Sequence, residues 1–239
     1  MPRTTRQPET PRSSGKPGRD CPRCPRLVAF RELWRQREPS WFNAPVASFG
    51  PRGARLLVVG LAPGLQGANR TGRPFTGDWA GDLLYQTLLD FGFARGVYDA
   101  RPDDGLTLID ARITNAVRCV PPENKPTTTE IHTCRHFLTP TIAEMPKLRA
   151  IVTLGRIAHE STVLALGAPR RAAPFAHGAR STFDRIALFS SYHCSRYNTN
   201  TGVLTPRMFR AVFAGVRRYL DALSQATTSA ALRSGGNTG

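Results

Sequence analysis

Short apolar runs rich in β-branched residues alternate along this chain with amphipathic stretches of helical period, and this alternation constrains the fold more than any other feature. The runs cover residues 55–60, 106–117, 148–154 and 186–189. Buried parallel strands joined by helices produce this pattern, because a parallel strand pair needs a long crossover connection. The sequence therefore predicts an α/β fold, a three-layer α/β/α sandwich with a mainly parallel, four-stranded central sheet.

Apolar residues at helical spacing predict the helices that separate these strands. One helix is predicted between the first cysteine pair and Pro39, and others over residues 79–91, 127–145 and 156–166. A last helix begins at Thr205-Pro206, because Thr is a good N-cap and Pro is favoured at the first helical position.

The chain has 239 residues, which is enough for one large domain with its own core. Residues 1–20 and 224–239 lack apolar periodicity, which predicts two flexible tails, the first of them basic. The domain is then expected over residues 21–223, and we expect it to be a monomer.

The charge balance is strongly basic. Lys and Arg number 33 against 17 Asp and Glu, giving a formal net charge of +16. Most of this excess lies between the two tails and so belongs to the folded domain. A basic domain attracts a polyanion such as a nucleic acid, because each neutralised phosphate releases counterions. An acidic partner is therefore expected.

The sequence contains no apolar stretch near the roughly 20 residues that cross a bilayer. Its first residues are polar and rich in Pro and Ser, unlike a secretory signal. We therefore expect a cytoplasmic protein that does not enter membranes. In that reducing compartment, cysteines serve as thiols or metal ligands more often than as disulfides.

Four of the five cysteines suggest a metal site. Cys21 and Cys24 have C-x2-C spacing, and Cys119 and Cys134 follow after a long gap. Four thiolates favour zinc or an iron-sulfur cluster over hard cations, and the spacing does not distinguish the two. The alternative is that these cysteines are small buried hydrophobic residues. Cys194 stands apart in either case.

Three segments follow predicted strands, after Val59, Ile113 and Phe189, and functional loops of parallel sheets gather at the carboxyl ends of the strands. The first is a glycine-rich loop over residues 60–67, and residues 69–78 continue it with two arginines, an aromatic residue and a carboxylate. Another, over residues 190–198, contains His, Ser, Arg and Tyr. Such composition suits the stacking of a base and the binding of phosphates, although each loop alone also suits an ordinary solvated loop.

Taken together, these segments resemble the uracil-DNA glycosylase superfamily, and specifically its iron-sulfur branch, family 5. The resemblance rests on CPRC, GLAPG followed by NRTGRPFTGD, TNAVRC, a cysteine in the next helix, and His-x-Ser before the last helix. It spans nearly the whole predicted domain. It implies an α/β/α fold and an enzyme that hydrolyses the N-glycosidic bond of uracil in DNA and leaves an abasic site. Hypoxanthine, xanthine and modified uracils are further expected substrates.

The resemblance also implies roles for individual residues. Asp78 would activate the attacking water, and His193 would donate a hydrogen bond to the departing base. The other implied groups are base contacts at Ala62, Gly64, Phe75 and Asn115, DNA contacts at Arg70, Arg73, Ser195, Arg196 and Tyr197, and a 4Fe-4S cluster on Cys21, Cys24, Cys119 and Cys134. No lysine occupies a motif position, so no lyase step is expected.

A second reading of the same features is a non-catalytic nucleic-acid-binding module that holds an iron-sulfur cluster or zinc. Release of free uracil from DNA distinguishes the enzyme from the binding module. The partner expected of the enzyme is DNA that contains uracil or another deaminated base.

Overall fold

The computed structural model of the protein describes residues 15–235, with side chains described up to residue 226. Within this part, helices separate the strands of the parallel sheet along the chain. The helices are α1 (Pro25–Arg37), α2 (Ala68–Thr71), α3 (Trp79–Asp90), α4 (Thr128–Ala143), α5 (Arg156–Ala165), α6 (Arg196–Asn200) and α7 (Pro206–Gly235). The strands are β1 (Leu56–Gly60), β2 (Ala94–Arg95), β3 (Thr107–Leu108), β4 (Ala111–Asn115), β5 (Ala150–Leu154), β6 (Arg180–Phe183) and β7 (Ile186–Ser191).

The central sheet has the strand order β4-β1-β5-β7-β6. The four predicted strands pair in parallel, and β6 adds an antiparallel edge to β7. The four predicted parallel strands are therefore confirmed, and the prediction lacked the fifth strand, β6. Sequence alone missed β6 because its four residues, RSTF, alternate between exposed and half-buried positions and contain a single large apolar side chain.

Helices cover both faces of the sheet, which confirms the three-layer sandwich. Leu56 and Val58 of β1 point into one core with α3 and α7, while Leu57 and Val59 point into the other with α4 and α5. Successive strand residues face opposite sides, so a strand buried on both faces needs an unbroken apolar run. The run at residues 55–60 has that character.

Capping fixes where two of the long helices begin. The Thr127 hydroxyl accepts a hydrogen bond from the Glu130 N–H, and the Glu130 carboxylate accepts one from the Thr127 N–H. Thr205 likewise accepts from the Met208 N–H at 3.2 Å, which confirms the predicted start of α7. Such caps satisfy N–H groups that have no partner inside the helix.

The ends of the domain differ from the expected boundaries. Residues 1–14 of the expected basic tail lie outside the described residues, but Gly15 is buried, and its carbonyl accepts a hydrogen bond from Thr141 in α4. At the other end, the segment expected as a tail from residue 224 is helical as far as Gly235. No helix of the described part is long and apolar enough to cross a membrane.

Candidate active site

The segments that follow β1, β4 and β7 meet at the carboxyl ends of these strands and enclose a cleft of about 810 Å³. The sheet register brings them together, because Gly60 at the end of β1 pairs with Asn115 at the end of β4. The cleft is lined by residues 61–67, Phe75, Gly77, Asp78, Trp79, Ala80, Asn124, His193, Ser195 and Arg196. The predicted base contacts Ala62 and Gly64 are among them.

Gly60, directly before the segment that lines the cleft, allows the Phe75 ring and the Asn115 amide to approach one another. A Cβ atom on Gly60 would lie 2.4 Å from Asn115 Oδ1 and 2.5 Å from Phe75 Cζ, so no other residue fits there without a shift. Asn115 is buried, and its Oδ1 has no hydrogen-bond partner in the described part of the chain. A buried acceptor without a partner costs about 1–3 kcal/mol, which a bound donor would recover.

Phe75 is held in an unusual conformation. Its φ angle is 54°, in the left-handed region that an aromatic residue rarely adopts. Two tyrosine hydroxyls hold this segment, since Tyr98 donates to the Phe75 carbonyl at 3.2 Å and Tyr85 donates to the Pro74 carbonyl at 2.6 Å. The Phe75 ring lies 6.1 Å from the His193 ring at 28°. The strained backbone thus presents a flat surface to the cleft beside the imidazole.

Asp78 caps α3 and faces the glycine-rich loop. One carboxylate oxygen accepts a hydrogen bond from the Gly81 N–H at 3.2 Å. The other oxygen would lie 2.9 Å from a Cβ on Gly64 and 2.5 Å from one on Gly67, so these glycines make room for it. Burial raises the pKa of Asp78, although the N–H groups of Gly81 and Ala80 favour its carboxylate. A carboxylate with a raised pKa, beside a cleft, is suited to accept a proton.

The His193 imidazole is neutral near pH 7, because burial lowers its pKa to about 4. Its loop is fixed on both sides. Asn198 donates a side-chain hydrogen bond to the His193 carbonyl at 2.8 Å. The next residue, Cys194, is fully buried, and its thiol donates to the Ala80 carbonyl at 3.5 Å. Cys194 therefore joins the histidine loop to the first turn of α3, a role that its sequence position did not suggest.

Of the predicted DNA contacts, Ser195, Arg196, Tyr197 and Arg70 lie at or near the rim of the cleft. Ser195 caps α6 by accepting from the Asn198 N–H, and the Arg196 guanidinium lies 5.3 Å from the Trp79 ring. Tyr197 is 74% exposed, and Arg70 is exposed beside Gly77. Exposed rings and cations at a rim are suited to contact a nucleic acid.

The prediction that Arg73 contacts DNA is wrong. Arg73 is 5% exposed and forms two hydrogen bonds to the Asp104 carboxylate, at 2.6 and 2.8 Å. Its guanidinium also lies over the rings of Phe49, Tyr85 and Tyr98. These hydrogen bonds hold the pKa of Asp104 well below its usual range. A phosphate cannot reach a cation enclosed in this way, so Arg73 supports the loop that carries Phe75.

Trp79 and Asn124 line the cleft, although sequence reasoning gave neither a role. Trp79 is 46% exposed, and its indole N–H donates to Thr199 in α6 at 3.0 Å. A tryptophan directly after a candidate catalytic aspartate was an available signal. Asn124 reaches the cleft from a short 3-10 turn and has a φ of 58°. Nothing in the sequence indicates that Asn124 would lie beside cleft residues that are distant from it along the chain.

Cys21, Cys24, Cys119 and Cys134 line one small cavity between α1, α4 and the segment after β4. Burial raises the pKa of Cys119 to about 12 and that of Cys134 to about 11, and the other thiols of the group add to both shifts. The structure thus brings the four predicted cysteines together. In the part of the chain described, no group of three or more His, Cys, Asp or Glu side chains is arranged to hold a metal ion.

A buried arginine adjoins the cysteine cavity. The side chain of Arg118 is fully buried and donates to Ser48, Thr141 and the Gly15 carbonyl, but within residues 15–226 it forms no ion pair with a carboxylate. Its backbone N–H donates to Cys134 Sγ at 3.2 Å. Burying an unpaired cation is expensive, so a negative charge is expected beside it.

Comparison with known proteins agrees with this architecture. A sequence model described as the uracil DNA glycosylase superfamily matches residues 47–217, well over half of the chain. The chain therefore belongs to the uracil-DNA glycosylase superfamily.

Within that superfamily, the chain is similar over most of its length to proteins named type-5 uracil-DNA glycosylase. The protein of Thermus thermophilus is 44% identical over 205 residues, which cover 83% of this chain and 93% of the relative. The Pyrobaculum aerophilum protein is 40% identical over 190 residues, covering 78% and 83%. The Mycobacterium tuberculosis protein is 39% identical over 211 residues, covering 83% and 77%. The resemblance inferred from the motifs is thus confirmed.

Proposed function

We propose that this protein is a monofunctional uracil-DNA glycosylase that hydrolyses the N-glycosidic bond of uracil in DNA and leaves an abasic site. Membership of the superfamily and the names of its relatives support this activity. The observation that carries it is that Phe75, Asp78 and His193 line one cleft although they come from separate segments, while the Asn115 amide lies beside the Phe75 ring next to Gly60.

Uracil would be recognised between the Phe75 ring and the Asn115 amide. A base must leave the duplex to be reached, and stacking on Phe75 offsets part of the free energy of flipping. The unpaired Asn115 Oδ1 is a hydrogen-bond acceptor, and uracil offers a donor at N3. Cytosine has an acceptor at N3 and a donor at N4, so the same amide would meet it with mismatched groups. Asn115 thereby selects uracil.

Hypoxanthine and xanthine present the same neighbouring N–H and carbonyl groups as uracil. The volume of the cleft leaves room for a purine. We therefore extend the proposal to deaminated purines and to modified uracils, with Asn115 making the same contacts to each base.

Bond cleavage leaves negative charge on the base and positive charge on the sugar. The neutral His193 imidazole would donate a hydrogen bond to the base oxygen that becomes anionic, as an oxyanion-hole donor does. The Asp78 carboxylate would position water and accept its proton, while its charge stabilises the cationic sugar. Arg70, Arg196 and Ser195 would hold phosphates beside the flipped nucleotide, and Tyr197 or Arg196 would fill the space that the base leaves.

We also propose that Cys21, Cys24, Cys119 and Cys134 hold a 4Fe-4S cluster. Four thiols around one cavity fit this group, as does the N–H that Arg118 directs at Cys134 Sγ. The buried cation of Arg118 would offset the negative charge of a thiolate-bound cluster. Zinc is the other group that four thiolates favour, and a single zinc ion would need all four sulfur atoms within about 2.3 Å of one point. When bound, the cluster would tie α1 to α4 and to the segment after Asn115, and we assign it no part in base release.

The decisive experiment is incubation of the protein with a labelled duplex that contains one uracil. We expect free uracil and an alkali-labile abasic site, with the much slower Asp78→Asn as the control. Parallel duplexes with hypoxanthine or xanthine test the wider substrate range. Duplex binding without release of any base would instead favour the non-catalytic binding module and contradict the proposal.

A further inference from the structure

A second groove, of about 780 Å³, lies between α7 and the segment that begins β6. Exposed arginines line it from two elements: Arg180 from β6, and Arg207 and Arg218 from α7. Among residues 15–226, no acidic side chain lines it. Of the predicted DNA contacts, Arg70, Ser195, Arg196 and Tyr197 lie elsewhere, at or near the rim of the first cleft, and none lines this groove.

The arginines of α7 follow one stripe of the helix. Arg207 and Arg218 are eleven positions apart, about three turns, so they share a face at a separation of about 16 Å. Ala211 and Gly215 lie between them on that stripe and leave the groove open. A Cβ on Gly215 would meet only Phe189, at 3.7 Å, which is ordinary contact. Packing therefore does not require a glycine at this position.

Arginines on this stripe of α7 and on the adjacent face of the helix differ in whether they form ion pairs. Arg210 and Arg217, on an adjacent face of α7, form ion pairs with Asp90 and Asp221. Arg207 and Arg218 have no carboxylate within ion-pair distance among residues 15–226. Arg180 has none there either.

Arg180 is held in place by aromatic rings instead. Its guanidinium lies 4.4 Å from the Tyr219 ring and 5.5 Å from the Phe189 ring. The groove thus presents three exposed cations whose charge is not neutralised by acidic neighbours. Such a surface attracts an extended anion.

The groove lies next to the histidine loop. The Tyr192 backbone N–H donates to His177 Nδ1 at 3.1 Å, and their rings stack at 5.0 Å. His177 lines the groove, and Tyr192 directly precedes His193. A strand of nucleic acid that leaves the cleft on this side would therefore pass over the groove.

We infer that this groove binds the phosphodiester backbone of duplex DNA on one side of the flipped nucleotide. The inference rests on the proposed function. With about 3.4 Å of duplex axis per nucleotide of one strand, the span from Arg207 to Arg218 corresponds to roughly five nucleotides. The contacts are to phosphates, so they add affinity without selecting a sequence.

The test is a salt titration of binding to an undamaged duplex of about 20 base pairs, measured by fluorescence anisotropy with the full chain. An undamaged duplex reports on backbone binding. Log affinity falls linearly as log salt rises, and each lost phosphate contact reduces the steepness of this fall by about 0.9. Raising salt from about 50 to about 200 mM should therefore weaken the wild type roughly 40-fold more than the variant Arg180→Gln, Arg207→Gln, Arg218→Gln.

A matched control removes three exposed cations at the opposite end of the sheet. Arg52, Lys147 and Arg185 precede β1, β5 and β7, at the amino ends of these strands. Their replacement by Gln changes net charge equally and should leave the slope at the wild-type value. A groove variant with the same slope as this control would overturn the inference.

A second variant avoids any effect of Arg180 on ring packing. Ala211 is exposed, and Ala211→Glu places a carboxylate between Arg207 and Arg218 while keeping a residue that favours helix. It should also weaken binding and flatten the salt dependence, and wild-type binding by this variant would contradict the inference. The proposed function is judged separately by release of uracil from the wild type. A protein that binds through the groove but releases no base would overturn that function and leave the groove assignment standing.

Discussion

The cleft and the cysteine cavity lie at the two ends of one short segment, residues 115–119, and they are built in opposite ways. At or next to the cleft lie the Asn115 amide oxygen, which has no partner among residues 15–226, a strained aromatic residue and a carboxylate whose pKa is raised by burial. The cavity joins α1, α4 and the segment after β4 around four thiols. Under the proposed function, groups in the cleft would act on the reaction at a cost to the fold, whereas the proposed cluster at the cavity would support the fold.

Asp78→Asn should give the largest separation of activity from stability. It should lower the single-turnover rate of uracil release about 10²- to 10⁴-fold, because the general base is lost. Asparagine caps helices as well as aspartate does, so α3 should keep its start. A raised pKa means that the folded state disfavours the carboxylate, and its stability falls as pH rises through that pKa. The variant should therefore melt at the same or a higher temperature at pH 7.

Asp82→Asn is the control for this variant, since it removes an exposed carboxylate from the same turn of α3. It should keep activity within a few-fold. In the wild type, the rate should fall as pH falls through the raised pKa of Asp78, and the residual rate of Asp78→Asn should lack this limb. Equal losses in the two variants would mean that Asp78 acts only through net charge.

Arg73→Gln tests the same comparison. The sequence predicts that Arg73 contacts DNA at the cleft, whereas in the structure it is buried and supports the loop that carries Phe75. Removing one partner of a buried ion pair leaves Asp104 unpaired and should cost about 3–5 kcal/mol in the free energy of unfolding. Urea denaturation measures this loss. Arg70→Gln, the exposed neighbour, should leave stability within about 0.5 kcal/mol and weaken DNA binding instead. Loss of DNA binding in Arg73→Gln together with loss of stability in Arg70→Gln would contradict this assignment.

His193→Ala should lower the rate of base release about 10²- to 10³-fold, as loss of an oxyanion-hole donor does. Because the pKa of His193 is lowered to about 4 in the fold, the unfolded state alone takes up its proton between about pH 4 and 6.5. Wild-type stability should therefore rise with pH across this window, and the variant should show a smaller rise. His132→Ala, an exposed change on α4, should alter neither property.

Cys134→Ser and Cys194→Ser compare two buried cysteines, one at the cysteine cavity and one next to His193 at the cleft. The first should lose bound iron and, as for a lost cross-link that closes a long loop, about 2–4 kcal/mol of stability. The second should keep its iron and change the rate of base release, because Cys194 joins the histidine loop to α3. Iron content and thermal melting of both variants check this. Equal iron in the two would contradict the cluster assignment.

The elements that sequence predicted well are those whose signal is local. The apolar run at residues 55–60 needs burial on both faces, and Thr127 and Thr205 cap helices through atoms three positions away. The edge strand β6 carries no such signal, since pairing with β7 defines it. The family resemblance also pointed to Asp78 and His193, and both line the cleft.

The sequence by itself determined the α/β/α architecture, the family, and the segments that supply the cleft and the cysteine cavity. Only the tertiary structure decided which side chains inside those segments are free to act. Arg70 and Arg73 have the same chemistry three positions apart, yet Asp104 and three aromatic rings enclose one of them. Exposure and partners arise from long-range packing, which the identity of a residue does not encode.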